Sequence, residues 1–363
     1  MLLDLNLLDI YNFNNKVNIS YANSNINFYS NSYKVLTRML IRMKPFFKVG
    51  LLNKDTSEKV YCLLDTNLFN EIILKLARTN DYTVISVPSQ FDGSKFSSAY
   101  RYEFEEEIVI QYIHNDIIVI VNKKDKLIVV LGNDLNSLAI ETRAIIKDNI
   151  IQRKEESLGS CIFHASSFVF EDKGYVVVGK KGAGKTTTIF SSLLLLEDSQ
   201  FVSNDFVFID NTNKFHGWPE PIGISPFTCE YFNMDKEFFN GLQKSNEKYI
   251  IPYREIPDRF HRDLSTGHNL DYILIPYCDF EKKTTINKME SSKAKDTLIA
   301  ECRSPFDPSR PHWIEFIDYY GDNSKQIIEN ISKEVPIFEL RIGYDFKESF
   351  NDILRATNAK QLV

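Results

Sequence analysis

The sequence predicts a mixed α/β chain of two domains: an α+β domain over residues 1–132, then an α/β domain with a partly antiparallel sheet over residues 133–363. Three observations predict it. A glycine-rich segment, Gly179-Lys180-Lys181-Gly182-Ala183-Gly184-Lys185-Thr186, lies between an apolar β-branched run and a run of helical character. A second apolar stretch, 160–170, ends only four residues before that run begins. Residues 83–131 alternate short apolar runs with turn residues, as an antiparallel meander does.

In the first domain, Asn- and Ser-rich residues 1–32 carry alternating apolar positions (Val17, Ile19, Tyr21; Ile26, Phe28), which suits short strands or an ordered arm. Residues 33–44 (YKVLTRMLIRMK) read as a basic amphipathic helix stopped before Pro45. Its cations fit either a solvated face or contact with an acidic peptide. A second helix is expected over 67–78, and strands over 83–87, 108–113, 117–121 and 127–131, with Asn115-Asp116 turning between two of them. Residues 134–150 bring Leu135, Leu138, Ala139, Thr142, Ile145 and Ile146 onto one helical face. That helix is expected to open the second domain.

Composition narrows the partners. Hydrophobic residues make up 43% and charged residues 25% of 363, a globular balance. A formal net charge of −6 disfavours a nucleic-acid partner. The five cysteines are dispersed with no C-x-x-C pair, so neither a zinc site nor a disulfide framework is expected. The opening residues MLLDLNLLDIYNF lack a basic segment, and no apolar run approaches membrane-spanning length; a cytoplasmic location without membrane contact is expected.

The glycine-rich segment has the pattern G-x-x-x-x-G-K-[ST], met by chance in roughly one chain of this length in a hundred. Each residue type in it has a task. Glycines let backbone N–H groups turn inward around phosphates, the lysine reaches the β- and γ-phosphates, and the hydroxyl binds Mg²⁺. Gly179, Lys180, Lys181, Gly182, Ala183, Gly184, Lys185, Thr186 and Thr187 are therefore the candidate cradle, with ATP and Mg²⁺ as cofactors. Residues 175–178 (YVVV) supply the entering strand, and residues 186–197 (TTTIFSSLLLLE) a helix whose N-terminus faces the anion. Residues 171–174 are long enough for a hairpin and too short for a crossover. The strand feeding the loop thus has an antiparallel neighbour just before it, unlike the start of Ras-like or RecA-like domains.

The combination FHASSFVFEDKGYVVVGKKGAGKTTT…QFVSNDFVFID resembles the C-terminal catalytic domain of HPr kinase/phosphorylase, a distant cousin of phosphoenolpyruvate carboxykinase. The resemblance covers roughly residues 135–355, including the tail VPIFELRIGYDFKESFNDIL; residues 1–130 show none. It implies a P-loop kinase fold and γ-phosphate transfer to a hydroxyl, most simply a Ser or Thr of a peptide or small protein, in the manner of peptide-tailoring kinases. Asp205 matches the general base, Lys185 a catalytic cation and His164 the active-site histidine. Glu220 matches the metal-binding glutamate, with Glu230 as rival, beside Thr186. The family's paired acids are Asn204-Asp205 here, and its later arginine falls at His268 within Gly267-His268-Asn269-Leu270, leaving His268, Arg254, Arg259 or Arg262 to supply that charge. The family often forms hexamers, so a homo-oligomer is a further expectation. A small-molecule hydroxyl kinase and a nucleotide-binding switch or scaffold without transfer are alternatives. The N-terminal domain is free to recognise a substrate.

Overall fold

A computed structural model describes residues 8, 11–79, 81–88, 96–122, 124–303 and 324–359. Residues 1–7, 9 and 10 of the N-terminal segment read above lie outside them. The described residues form a mixed α/β fold with four sheets and divide into two compact units, those through Leu158 and those from Gly159 onward.

The first unit is built on one nine-stranded sheet. Its strands are β1 (Asn15–Tyr21), β2 (Ser24–Ser30), β3 (Lys48–Gly50), β4 (Lys59–Leu64), β5 (Thr83–Pro88), β6 (Phe96–Glu103), β7 (Glu107–Tyr112), β8 (Ile117–Asn122) and β9 (Leu127–Gly132), ordered β3-β1-β2-β4-β9-β8-β7-β6-β5. The run from β5 to β9 is antiparallel; the turn residues predict its β7–β9 part, whereas β6 is a strand that the expected set lacks. Helix α1 (Tyr33–Ile41) is capped by Ser32 and α2 (Thr66–Leu76) by Asp65. The apolar stripe Leu68, Phe69, Ile72 and Leu76 of α2 packs on Leu63, Ile118, Ile120, Val129 and Leu131. On the opposite face, α3 (Leu135–Ala144) meets β4 through Thr142 and Cys62, 3.4 Å apart. Helix α3 continues through a π-helical turn, Ile145–Ile151, into α4 (Gln152–Ser157). The helix expected to open the second domain therefore packs within the first unit, and residue 132 is not where the contacts divide. Its apolar face is claimed by the sheet beside it, which motif spacing does not reveal.

Among the described residues the second unit has the strands β10 (Cys161–Phe163), β11 (Ala165–Phe170), β12 (Lys173–Val178), β13 (Ser199–Ser203), β14 (Val207–Ile209), β15 (Lys214–Gly217), β16 (Ile222–Ile224), β17 (Gln243–Ser245), β18 (Lys248–Ile251), β19 (Gly267–Asn269), β20 (Tyr272–Cys278), β21 (Thr285–Lys288), β22 (Cys302–Arg303) and β23 (Ile337–Ile342). Its helices are α5 (Lys185–Leu195), α6 (Pro226–Tyr231), α7 (Ile256–Phe260), α8 (Ser291–Glu301), α9 (Ser324–Glu334) and α10 (Phe346–Ala359). A six-stranded sheet runs β13-β11-β12-β20-β23-β21, and a five-stranded sheet runs β19-β15-β14-β10-β22. Strands β11 and β12 form the expected hairpin, with Phe170 opposite Lys173. Its two turn residues, Glu171 and Asp172, both take positive φ, 51° and 56°. That is the backbone a two-residue hairpin with right-twisted strands requires.

Period-2 alternation sorts the strand residues onto two faces. Val176 and Val178 of β12 join Val169, Val202, Ile273 and the apolar residues of β10, β14, α8 and α9 in one core. Tyr175 points to the other face, stacked between Phe168 at 4.9 Å and Tyr272 at 5.0 Å, with its hydroxyl hydrogen-bonded to Asn358 of α10. Burying these aliphatic side chains contributes about 1.5–3 kcal/mol each. The end of β12, where the glycine-rich loop begins, is thereby fixed from both sides.

A second expectation differs from the structure. The single strand read over 160–170 is two strands in two sheets, broken by a bend at His164. The apolar run is continuous because both strands are buried, so its composition does not show the break.

Candidate functional site

The glycine-rich loop connects β12 to α5, and its shape is set by backbone freedom. Gly184, the N-cap of α5, has φ 108°, and Gly182 has φ 85°. A side chain at Gly184 would be strained twice over, because a Cβ there would also come within 2.4 Å of Ile342 Cδ1. Thr188 ties the first helical turn to the loop, its amide donating to the Gly184 carbonyl at 2.8 Å and its hydroxyl at 3.0 Å. The first-turn amides of α5 and its positive dipole end face the loop interior, the arrangement that binds anions.

Lys185 is buried, and its Nζ donates to the carbonyls of Gly179 and, at 3.1 Å, Lys180. The ammonium thus spans the mouth of the loop. Burial lowers its proton affinity, while the charges of Glu301 and Asp205 raise it. Thr186 is half-buried and Thr187 buried in the first turn of α5; Lys181 and Gly182 are exposed at the loop tip.

Opposite the loop stands a wall drawn from three segments. Asp205 follows β13 in a tight turn with φ 70°, a conformation that Asp tolerates better than most residues, and its side chain is exposed. The turn is held by Ser203, whose Oγ donates to the Phe206 carbonyl at 2.5 Å and accepts from the Trp218 amide at 2.9 Å. Asn204 is buried. It accepts from Ser166 Oγ at 3.1 Å and donates from Nδ2 to the Pro221 carbonyl at 3.1 Å. A carboxylate could accept from the serine but not donate to the carbonyl, so an amide suits this position. Asn204 thereby ties the Asp205 turn to the segment that carries Glu220.

His164 sits at the bend between β10 and β11. Its ring lies 6.3 Å from Phe206, edge to face, and is hydrogen-bonded to the Asp205 backbone; its own amide donates to the Glu301 carbonyl at 3.3 Å. Burial first, then the charges of Lys185 and Arg303, depress its proton affinity, against the opposing charge of Glu301. The sum favours a neutral imidazole at neutral pH.

Glu301 and Arg303 were not legible as site residues. They close helix α8 and form β22, which pairs with β10 so that Arg303 lies opposite Ile162. The Arg303 guanidinium stacks 4.8 Å from the Phe206 ring, next to Asp205 in the chain. The signal in the sequence was slight: a charged pair, ECR, at the end of a helical run about a hundred residues from Asp205.

The other candidates lie elsewhere or stay apart. His268 pairs with Asp172 at 3.2 Å, at the hairpin end of β12. The six residues of that strand, about 20 Å, separate it from the glycine-rich loop. Arg262 donates to the Leu196 carbonyl at 2.8 Å, beyond the far end of α5. Arg259 is held by Glu255 at 2.7 Å and the Phe238 carbonyl at 2.6 Å. Arg254 is exposed on a short 3₁₀ turn. Glu230 is exposed on α6, whereas Glu220 adjoins the Asn204 tether.

Among the described residues no three His, Cys, Asp or Glu side chains converge as a metal cage, and no helix is long and apolar enough to cross a membrane.

No family model matches the sequence, and no curated protein matches it. Among solved structures, the HPr(Ser) kinase/phosphatase from Coxiella burnetii is similar over 56% of this chain and 99% of that one, at 13% identity and a TM-score of 0.28. A likeness of that size is distant, and nothing about the reaction follows from it.

Proposed function

We propose that the second unit binds a nucleoside triphosphate, ATP in the simplest case, and transfers its γ-phosphate to a hydroxyl. The observation that carries this reading is the convergence of charge at the start of α5. Lys185 of the loop feels Asp205 and Glu301, and His164 feels Lys185, Glu301 and Arg303.

The backbone amides of the loop and of the first turn of α5 cradle the phosphates, and Lys185 exchanges its carbonyl partners for β- and γ-phosphate oxygens. Asp205 accepts the proton of the acceptor hydroxyl as its oxygen attacks the γ-phosphorus; the bond to the β–γ bridging oxygen breaks and the nucleoside diphosphate leaves. His164, kept neutral by burial and the Lys185 charge and hydrogen-bonded to the Asp205 backbone, fixes the turn that aims the carboxylate. Arg303 supplies the second cation, in place of the arginine expected near Gly267, and compensates the charge that develops on the transferring group. Mg²⁺ bound through Thr186, the phosphates and Glu220 would neutralise the β- and γ-oxygens. The acceptor we favour is a Ser or Thr hydroxyl of a peptide or small protein, with the first unit as its recognition element.

The test is ADP release and transfer of labelled γ-phosphate to candidate peptides by wild type and Asp205→Asn. Transfer that persists undiminished in the variant contradicts the role given to Asp205. A second reading, a nucleotide-binding switch without transfer, draws on Asn204, which leaves the turn one carboxylate short. Tight ATP binding with no turnover against peptide and metabolite acceptors would favour it.

A further inference from the structure

Three parallel strands, β12, β20 and β23, end side by side. The first runs into the phosphate loop. In open α/β sheets ligands bind in the crevice beyond the carboxyl ends of such strands, so the loops after β20 and β23 border whatever extends from a bound phosphate chain. Cys278, the last residue of β20, places its Sγ 3.8 Å from the Ala183 carbonyl of the phosphate loop. Phe280 follows two residues later, within about 7 Å along the chain.

The two loops are built as one surface. Thr284 donates its amide to Asp345 Oδ1 at 2.6 Å, the Gly343 amide donates to Thr284 Oγ1 at 3.2 Å, and the Tyr344 amide donates to the Lys282 carbonyl at 3.1 Å. A Cβ at Gly343 would lie 2.2 Å from the Lys282 carbonyl oxygen, so the loops touch backbone to backbone. On this surface sits a cluster of rings. Phe280 lies 5.6 Å from Phe227 and 5.7 Å from Tyr231, whose ring lies 6.3 Å from Phe227. Phe227 is 53% exposed and Tyr344 54%, and Phe280 is also open to solvent. Large rings left in solvent on a braced surface beside an anion site call for a flat apolar ligand, and a nucleobase tethered to the phosphates is one.

We propose that the loops after β20 and β23 form the nucleobase shelf of the site, with Phe280 as the ring on which the base stacks and Phe227 and Tyr231 buttressing it. This rests on the nucleotide-binding reading above. It assigns the base to stacking rather than to a polar reading pocket, which every base can satisfy.

The test compares ATP with inorganic tripolyphosphate, which shares the phosphate chain and lacks the base. Affinities of both, with Mg²⁺, are measured calorimetrically on the full chain for wild type, Phe280→Ala and Phe280→Trp. The shelf requires Phe280→Ala to weaken ATP about tenfold, the scale of one base–aromatic stack, while tripolyphosphate stays within twofold and Phe280→Trp binds ATP as wild type does. Circular dichroism confirms that the variants fold. Equal weakening of both ligands, or no change in either, overturns the shelf while leaving the phosphate loop intact. A wild type that binds neither ligand overturns the phosphate-loop reading and the shelf with it.

Discussion

The two sides of the candidate site are built in opposite ways. The glycine-rich loop is contiguous: strand, loop and helix follow one another within residues 173–195, and glycines at positive φ fix the turn. The facing wall is assembled from a bend at His164, a turn at Asp205 and a short strand at Arg303, held by Asn204, Ser203 and the Phe206 ring. The loop's turn is set by its own glycines. The wall depends on tertiary packing, and its parts should fail separately.

The sharpest break in this comparison is at the loop. Lys185→Met removes the one ammonium spanning its mouth, and nucleotide binding should fall at least about tenfold with transfer lost, as a charge-assisted contact of roughly 1.5–3 kcal/mol disappears. Gly184→Ala should follow closely, since φ 108° and the approach of Ile342 both oppose a side chain. The thermal shift that Mg–ATP is expected to give wild type should be smaller in both at the same ligand concentration.

On the wall, Asp205→Asn should lower the rate of transfer by about 10²–10⁴-fold with ATP affinity within a few-fold. Arg303→Ala should lower it by about 10–100-fold, with partial recovery in Arg303→Lys, because lysine keeps the charge but not the planar stack on Phe206. Binding and steady-state kinetics together separate the two sides: loop variants weaken ATP binding, whereas wall variants lower kcat with ATP binding nearly unchanged. If Arg303→Ala raises KM alone, Arg303 belongs with the cradle.

Asn204→Asp sharpens the comparison from the structural side. It restores a pair of acids but leaves the Pro221 carbonyl without its donor. A loss of about 1–3 kcal/mol in stability is expected by denaturant titration, with no gain in transfer.

The smallest effect concerns pH. His164 has its proton affinity lowered in the fold, so the unfolded chain takes up a proton before the folded one does. Stability should therefore fall as pH drops from the ordinary histidine range, near 6.5, toward the depressed folded value, and level off below both. His164→Gln should flatten that segment of the stability profile.

This contrast also explains what the sequence made legible. The loop could be read because its chemistry lies within eight adjacent residues, and the hairpin before it because four residues cannot hold a crossover. The meander from β7 to β9 was visible through runs such as IIVIV and LIVVL between turn residues. The break at His164 was not, because a buried strand reads the same in either sheet. Helix α3 was placed with the wrong unit because its apolar stripe does not say which sheet it covers. Arg303 was missed and His268 considered because motif spacing tracks position in the chain, whereas β22 brings Arg303 beside β10 across about 140 residues.

The central claim is that the 179–186 loop holds a triphosphate. Equilibrium dialysis of [γ-³²P]ATP with Mg²⁺ against the full chain and its Lys185→Met variant tests it most directly. The expected result is one site per wild-type chain with Kd between about 1 μM and 1 mM, the usual range for enzyme substrates, and at least tenfold weaker retention by the variant. No retention by wild type, or equal retention by both proteins, would contradict it.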